Sequence, residues 1–157
     1  MSKVLNIGIE KSTEKIKHYC AYQERSHQEV KDKLYSFGLY PEQVDVIISE
    51  LITENYLNEE RYAIAFSRGK FNIKDWGKQK IKYELKKNRV SDYCIKIGLS
   101  KIDEDDYQKK LEKLLIAKSN TLRSEKNIFI KKKKIQSFLM QKGYETSLIN
   151  DLLQKLS

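Results

Sequence analysis

Apolar residues recur along this chain three or four positions apart, which is the spacing of a buried helix face. One frame appears three times: two apolar residues four apart, a turn residue four further on, and an apolar residue six beyond it. The copies are about fifty residues apart, as in a helical repeat array. They are Val30/Leu34/Gly38/Val44, Ile81/Leu85/Arg89/Ile95 and Ile135/Leu139/Gly143/Ile149. We therefore expect similar helix–turn–helix units in tandem, with Leu34, Leu85 and Leu139 buried.

Helix start and stop signals support this pattern. Ser26 with Glu29 forms a capping box, Gly38 suits the left-handed end of a helix, and Pro41 suits a first turn. Strand-like alternation is hard to find, so we predict an all-α fold, a tandem array of three three-helix repeats that is elongated. The first helix is expected to open at Thr13 and Glu14. The predicted segments are a flexible arm at 1–11 and repeats at 12–56, 57–101 and 102–157.

The middle copy lies in a predicted helix with a basic edge. Ile81 and Leu85 form its apolar seam. At about 100° per residue, four basic residues of this segment fall on one arc beside that seam. They are Lys78, Lys82, Lys86 and Arg89. The arc is either a contact surface or a solvated helix face.

Charge is concentrated rather than spread evenly. The chain has 157 residues and a net charge of +9. Residues 74–89 carry seven Lys or Arg against two acids, residues 118–142 carry eight against one, and residues 41–60 carry six acids and no base. This pattern favours a polyanionic partner, nucleic acid or an acidic protein surface, over a lysine-rich composition alone. The candidate binding residues are Lys78, Lys80, Lys82, Lys86, Lys87, Arg89, Lys131, Lys132, Lys133 and Lys134.

Other chemistry is not indicated. His18, Cys20 and His27 do not have a metal-ligand spacing, and no glycine-rich phosphate loop or nucleophile motif occurs. We expect no catalysis, no cofactor and no metal. Cys20 and Cys94 lack CxxC spacing, and no segment is apolar enough for a signal peptide or a membrane span. A soluble cytoplasmic protein with no membrane partner is expected.

Three motifs resemble the RecX family, bacterial modulators of the RecA recombinase. They are Gln23-Glu-Arg-Ser-x2-Glu29-Val30-x3-Leu34, Tyr56-Leu-Asn-Glu-Glu-Arg-Tyr-Ala63-x2-Phe66 and Gly77-x2-Lys80-Ile81-x2-Glu84-Leu85-x4-Val90. The chain departs from the family at two places: Asn58-Glu59 replaces two aspartates, and Arg89 replaces a glycine, so that turn needs a strained or different helix end. The resemblance covers roughly residues 13–156 on this pattern reading.

The resemblance implies a curved array of three repeats that binds in the groove of RecA–DNA filaments. It implies inhibition of ATP hydrolysis and strand exchange, and hence modulation of recombination, DNA repair and the SOS response. We expect a monomer that binds single- and double-stranded DNA weakly and without sequence preference. The alternative is a DNA-binding helix-turn-helix transcriptional regulator that reads the major groove directly.

Overall fold

The computed structural model describes residues 5–156, which fold into helices joined by short connections. No strand occurs among these residues, so the all-α prediction is confirmed. Residues 1–4 of the predicted arm, and Ser157, lie outside the described part. The helices are α1 (Ile9–Tyr22), α2 (His27–Ser36), α3 (Pro41–Thr53), α4 (Glu59–Lys74), α5 (Lys78–Lys87), α6 (Asp92–Ser100), α7 (Glu104–Thr121), α8 (Ile128–Lys142) and α9 (Thr146–Gln154).

The chain divides into two compact units. The first comprises Met1–Ala65 and Leu85–Ile97, and the second Phe66–Glu84 and Gly98–Ser157. The division points fall inside α4, α5 and α6, so the middle helices contribute residues to both units. The predicted repeat boundaries after residues 56 and 101 lie instead in the connections before α4 and α7. Those boundaries stay predictions.

The first unit is built on a three-helix core. Helices α1, α2 and α3 all pack against one another. Their apolar stripes meet because residues three or four apart lie on one helix face. The buried core comprises Ile16, Cys20, Val30, Leu34, Leu39, Val44, Ile47, Leu51 and Leu57.

The start of α1 differs from the expectation. The helix begins at Ile9, not at Thr13. Gly8 takes the N-cap position with φ 88°, and its carbonyl accepts a hydrogen bond from the Ser12 N–H. The Thr13 hydroxyl donates to the Ile9 carbonyl at 2.7 Å instead of capping. The start predicted at Thr13 is therefore one helical turn too late. The capping box at Ser26 and Glu29 and the Pro41 start of α3 are confirmed.

The turn residue of the repeated frame is left-handed in all three copies. Gly38, Arg89 and Gly143 have φ values of 81°, 60° and 101°. After Arg89, the Val90 N–H donates to the Leu85 carbonyl at 3.0 Å; after Gly143, the Tyr144 N–H donates to the Leu139 carbonyl at 3.1 Å. These bonds close the Schellman motif that ends many helices. Leu34, Leu85 and Leu139 are fully buried, which confirms their expected burial.

The residues of the motif Tyr56–Phe66 hold the first unit together. The Asn58 side chain caps α4 through the Arg61 N–H at 2.9 Å. Arg61 pairs with Glu24 and also donates to the Asn55 side chain and carbonyl. The Glu59 carboxylate accepts from the Ser91 N–H. These positions of the family resemblance are therefore explained by folding.

Candidate nucleic-acid interface

Helix α5 begins against the end of α8 in the second unit. The Gly77 N–H donates to the Lys142 carbonyl at 2.8 Å, and the Gln79 N–H donates to the Gly143 carbonyl at 2.8 Å. Backbone donors at a helix start have no partner within their own helix, and the same holds for carbonyls at a helix end. Each helix end therefore satisfies part of the other, and this contact sets where the basic residues of α5 begin.

Lys78 is the most constrained residue of the predicted arc. Its Nζ lies 2.9 Å from Glu104 Oε1, and it also lies 4.6 Å from the centre of the Tyr107 ring. Its backbone N–H donates to the Tyr107 hydroxyl at 2.9 Å. The Lys78 side chain is only 19% exposed. Lys78 thus fastens α5 to α7, and reversing its charge would not be the simple surface change that the helical arc suggested.

Tyr107 links three helices of this unit. Its hydroxyl accepts from the Lys78 N–H and donates to the Glu145 carboxylate, which lies at the start of α9. Its ring packs near Phe71 and Tyr144, with centroid distances of 5.8 and 5.2 Å. Burial first, and then the hydrogen bond to Glu145, raise the pKa of Tyr107 above its ordinary value. The hydroxyl is a neutral structural donor at physiological pH.

The Lys80 side chain also packs within the protein, against the ring of Trp76. Its Nζ lies 4.5 Å from the centre of the Trp76 ring, and Lys70 Nζ lies 5.0 Å from the same ring. Trp76 also meets Phe66 edge to face at 6.4 Å. Trp76 therefore packs against residues of its own unit.

The other basic residues of this segment are more open. Lys82, Lys86, Lys87 and Arg89 are all exposed. Lys86 Nζ lies 3.9 Å from Asp92 Oδ1, and both side chains are more than half exposed, so this contact contributes little. Arg89 lines a groove of about 290 Å³ in the first unit, together with His27, Lys31 and Asp45. We call Lys82, Lys86, Lys87 and Arg89 the α5 basic set.

The lysines of α8 spread around the helix. Lys131 and Lys132 are half-buried, whereas Lys133 and Lys134 are exposed. Lys134 Nζ lies 3.7 Å from Glu125 Oε2, and among the described residues it is the only one of the four with an ion pair. The end of α8 at Gly143 lies about 14 Å along the helix from Lys134, at 1.5 Å per residue. The lysine run is therefore remote from the contact between α8 and α5.

The sequence reading missed Phe129, one turn before these lysines. Its side chain is 82% exposed. Together with Lys132 and Lys133 it lines a groove of about 390 Å³ between α8 and α9. The signal was present in the sequence: Phe129 lies off the face that Ile135 and Leu139 define.

Other classes of site gain no support. No group of three His, Cys, Asp or Glu side chains that could hold a metal ion occurs within residues 5–156. No helix in the described part of the chain has the length and hydropathy needed to cross a bilayer. Cys20 is buried, and burial raises its pKa to about 11. Such a thiol is a poor nucleophile at neutral pH.

Two family models match the chain. One describes the second three-helix domain of RecX and matches residues 58–99; the other describes the third three-helix domain of RecX and matches residues 104–153. This chain belongs to the RecX family. Proteins named regulatory protein RecX from Bacillus cereus (strain G9842) and Bacillus anthracis are each 29% identical to it over 140 residues. The match covers 88% of this chain and 51% of each relative, so the chain spans about half the length of these curated relatives.

Solved RecX structures have the same fold. The crystal structure of RecX from Lactobacillus salivarius superposes with a TM-score of 0.84 at 28% identity, covering 94% of this chain and 96% of that one. A second crystal structure, of regulatory protein RecX, gives a TM-score of 0.81 at 21% identity, covering 91% and 71% of the two chains. The tandem three-helix repeat fold is confirmed. Elongation and curvature stay predictions.

Proposed function

We propose that this chain is a regulatory protein that binds RecA–DNA filaments in the filament groove and inhibits their ATP hydrolysis and strand exchange. It would thereby modulate homologous recombination and DNA repair. Family membership supports a regulatory role, and the family resemblance implies the recombinase as partner. The protein would act by binding, as a monomer, without catalysis.

The exposure of the α5 basic set is the structural observation that carries this proposal. Lys82, Lys86, Lys87 and Arg89 present positive charge to solvent with few competing carboxylates. Exposed cations of this kind neutralise phosphates or acidic protein surface. Lys131–Lys134 supply a second basic segment on α8. Lys78 and Lys80 contribute mainly to packing, so the proposed contact surface is smaller than the sequence pattern indicated.

The direct transcriptional regulator is less well supported. In a helix-turn-helix reader the second helix of the motif enters the major groove. In the first frame that helix is α3, whose exposed residues include Glu42, Asp45 and Glu50. Phosphates would repel these carboxylates. In the second frame it is α6, where Asp92 offsets the charge of Lys96. Neither helix offers the Arg, Asn and Gln set that reads base edges.

A titration tests the proposal. The protein is added to filaments of its cognate recombinase preformed on single-stranded DNA, and ATP hydrolysis and strand exchange are followed. We expect both activities to fall at well under one protein per recombinase subunit, because one bound molecule that bridges several subunits perturbs all of them. Unchanged activities at equimolar protein would refute the function. A tight, sequence-selective duplex site that survives physiological salt would favour the transcriptional regulator.

A further inference from the structure

The groove between α8 and α9 presents an aromatic ring to solvent. Phe129 lies in the first turn of α8, where the Asn127 side chain accepts hydrogen bonds from the Phe129 and Ile130 N–H groups at 3.0 and 3.3 Å. This cap holds the backbone that carries the ring. Helix α8 packs through Ile135 and Leu139, both fully buried, whereas Phe129 is 82% exposed. The ring therefore adds little to the core and remains available to a partner.

The charge around this ring is positive and largely uncompensated. Lys132 and Lys133 line the groove beside Phe129. Within the described residues, neither lysine forms an ion pair, although Lys134 next to them pairs with Glu125. No acidic residue lines the groove. Two cations without carboxylate neighbours suit a ligand that carries negative charge.

Side-chain amides complete the groove. Gln136 Nε2 donates to Asn150 Oδ1 at 2.7 Å, which joins α8 to α9 at the groove wall. Gln154 lies further along the same wall. Amides offer both donors and acceptors, as base edges do. A nucleotide would use all three features together: its base would stack on the ring, its phosphates would meet the lysines, and its base edge would pair with the amides.

We propose that this groove binds single-stranded nucleic acid, with a base stacked on Phe129 and the adjacent phosphates held by Lys132 and Lys133. A single strand fits because its bases are free to stack on an aromatic ring, while duplex bases are already stacked on one another. This site rests on the proposed function, because a recombinase filament is where the protein would encounter a single strand. Phe129 itself is not among the predicted basic binding residues.

Fluorescence anisotropy with a labelled oligothymidylate and a labelled duplex of equal length tests this assignment. Phe129→Ala should weaken binding of the single strand roughly 5- to 150-fold, the loss of one stacked base, and leave duplex binding and the salt dependence unchanged. Phe129→Tyr should retain binding. Lys132→Gln with Lys133→Gln should lower the salt slope for the single strand by about 1.4, because two phosphate contacts are lost. Met140→Ala is the matched control, since Met140 is a half-exposed apolar residue of α8 outside this groove.

Several outcomes would overturn the assignment. Equal single-strand binding by wild type and Phe129→Ala, or equal losses for single strand and duplex, removes base stacking. Weaker filament binding without weaker single-strand binding identifies a protein partner instead. Far-UV circular dichroism melts identify a folding defect, in which case Phe129→Tyr decides the matter through its retained or lost binding. Recombinase inhibition is measured separately: an inhibitor that binds strands independently of Phe129 keeps the proposed function and loses this site.

Discussion

Gly77 lies against Gly143 so closely that neither residue has room for a side chain. A Cβ on Gly77 would lie 2.4 Å from the Gly143 carbonyl carbon, and one on Gly143 would lie 2.3 Å from the Lys80 Cβ. We expect Gly77→Ala to lower the free energy of unfolding by about 1–3 kcal/mol, because backbone must move to admit the methyl group. Urea denaturation followed by circular dichroism measures this.

Gly69 provides the matched control for that substitution. It lies inside α4, and a Cβ there would meet nothing within 4 Å. Gly69→Ala should therefore raise the free energy of unfolding by about 0.5–1 kcal/mol through helix propensity. If both variants gained stability, the close approach of Gly77 to Gly143 would not exist in solution.

Arg89 occupies a left-handed position that favours glycine. Its φ is 60°, and it follows the last turn of α5. Arg89→Gly should stabilise the fold by about 1 kcal/mol, since glycine adopts this conformation without steric cost. Arg89→Ala loses the same charge but keeps the strain, so it should bring no such gain. Thermal melts of both variants separate conformation from charge; similar gains for both would assign the effect to charge.

Alkaline pH should destabilise this protein. Burial raises the pKa of Cys20 to about 11 and raises the pKa values of Tyr62, Tyr107 and Tyr144 above their ordinary range. The folded state therefore holds these protons more tightly than the unfolded chain does. The free energy of unfolding therefore keeps its full value below the ordinary pKa values of 9 for the thiol and 10 for the hydroxyls. It falls as pH rises through the raised pKa values.

Urea midpoints from about pH 8 to about pH 12 measure this fall, and Tyr107→Phe removes one contributor. That variant should start less stable, because Glu145 and the Lys78 N–H lose a partner, yet lose less stability above about pH 10. Parallel alkaline curves for wild type and Tyr107→Phe would show that this hydroxyl does not titrate with unfolding.

Charge reversal across the α5 basic set should weaken recombinase inhibition. We expect Lys82→Glu, Lys86→Glu and Lys87→Glu together to raise the protein concentration needed for half-inhibition by tenfold or more, with about 0.5 kcal/mol of stability change per site. The control carries the same charge change at Lys101, Lys109 and Lys113, which are exposed on other segments. Equal inhibition by the two variants would remove the α5 basic set from the binding surface.

Lys78 is left out of that variant for a structural reason. Lys78→Glu would bring its carboxylate towards Glu104 and take a packed side chain from Tyr107. Lys78→Glu should lower the unfolding temperature by more than any single substitution of the triple variant does. Any loss of inhibition would then mix a folding defect with a binding defect. A melt unchanged by Lys78→Glu would contradict the anchoring role described above.

Local patterns in the sequence were sufficient for the helices and much of their capping. The repeated frame predicted the buried leucines, and Gly38 predicted a left-handed helix end, because the motif that ends a helix depends on residues only five apart. Arg89 was expected to need a strained or different helix end, and its φ of 60° places it in the left-handed region. The capping box at Ser26 and the Pro41 start were readable for the same reason. The start of α1 was not, since Gly8 caps it through backbone geometry rather than a recognisable side chain.

Tertiary structure alone decided whether each candidate basic side chain is paired, packed against a ring or exposed. Helical spacing placed Lys78 and Lys82 on one arc, but Lys78 meets Glu104 and Tyr107, which lie 26 and 29 residues away in sequence. Helical spacing likewise placed Phe129 off the face of Ile135 and Leu139, but only the packing of α8 against α9 forms the groove that its ring lines. A sequence specifies which residues share a helix face through the fixed geometry of the helix. Whether that face meets solvent, a carboxylate or a ring depends on long-range packing, which no local period encodes.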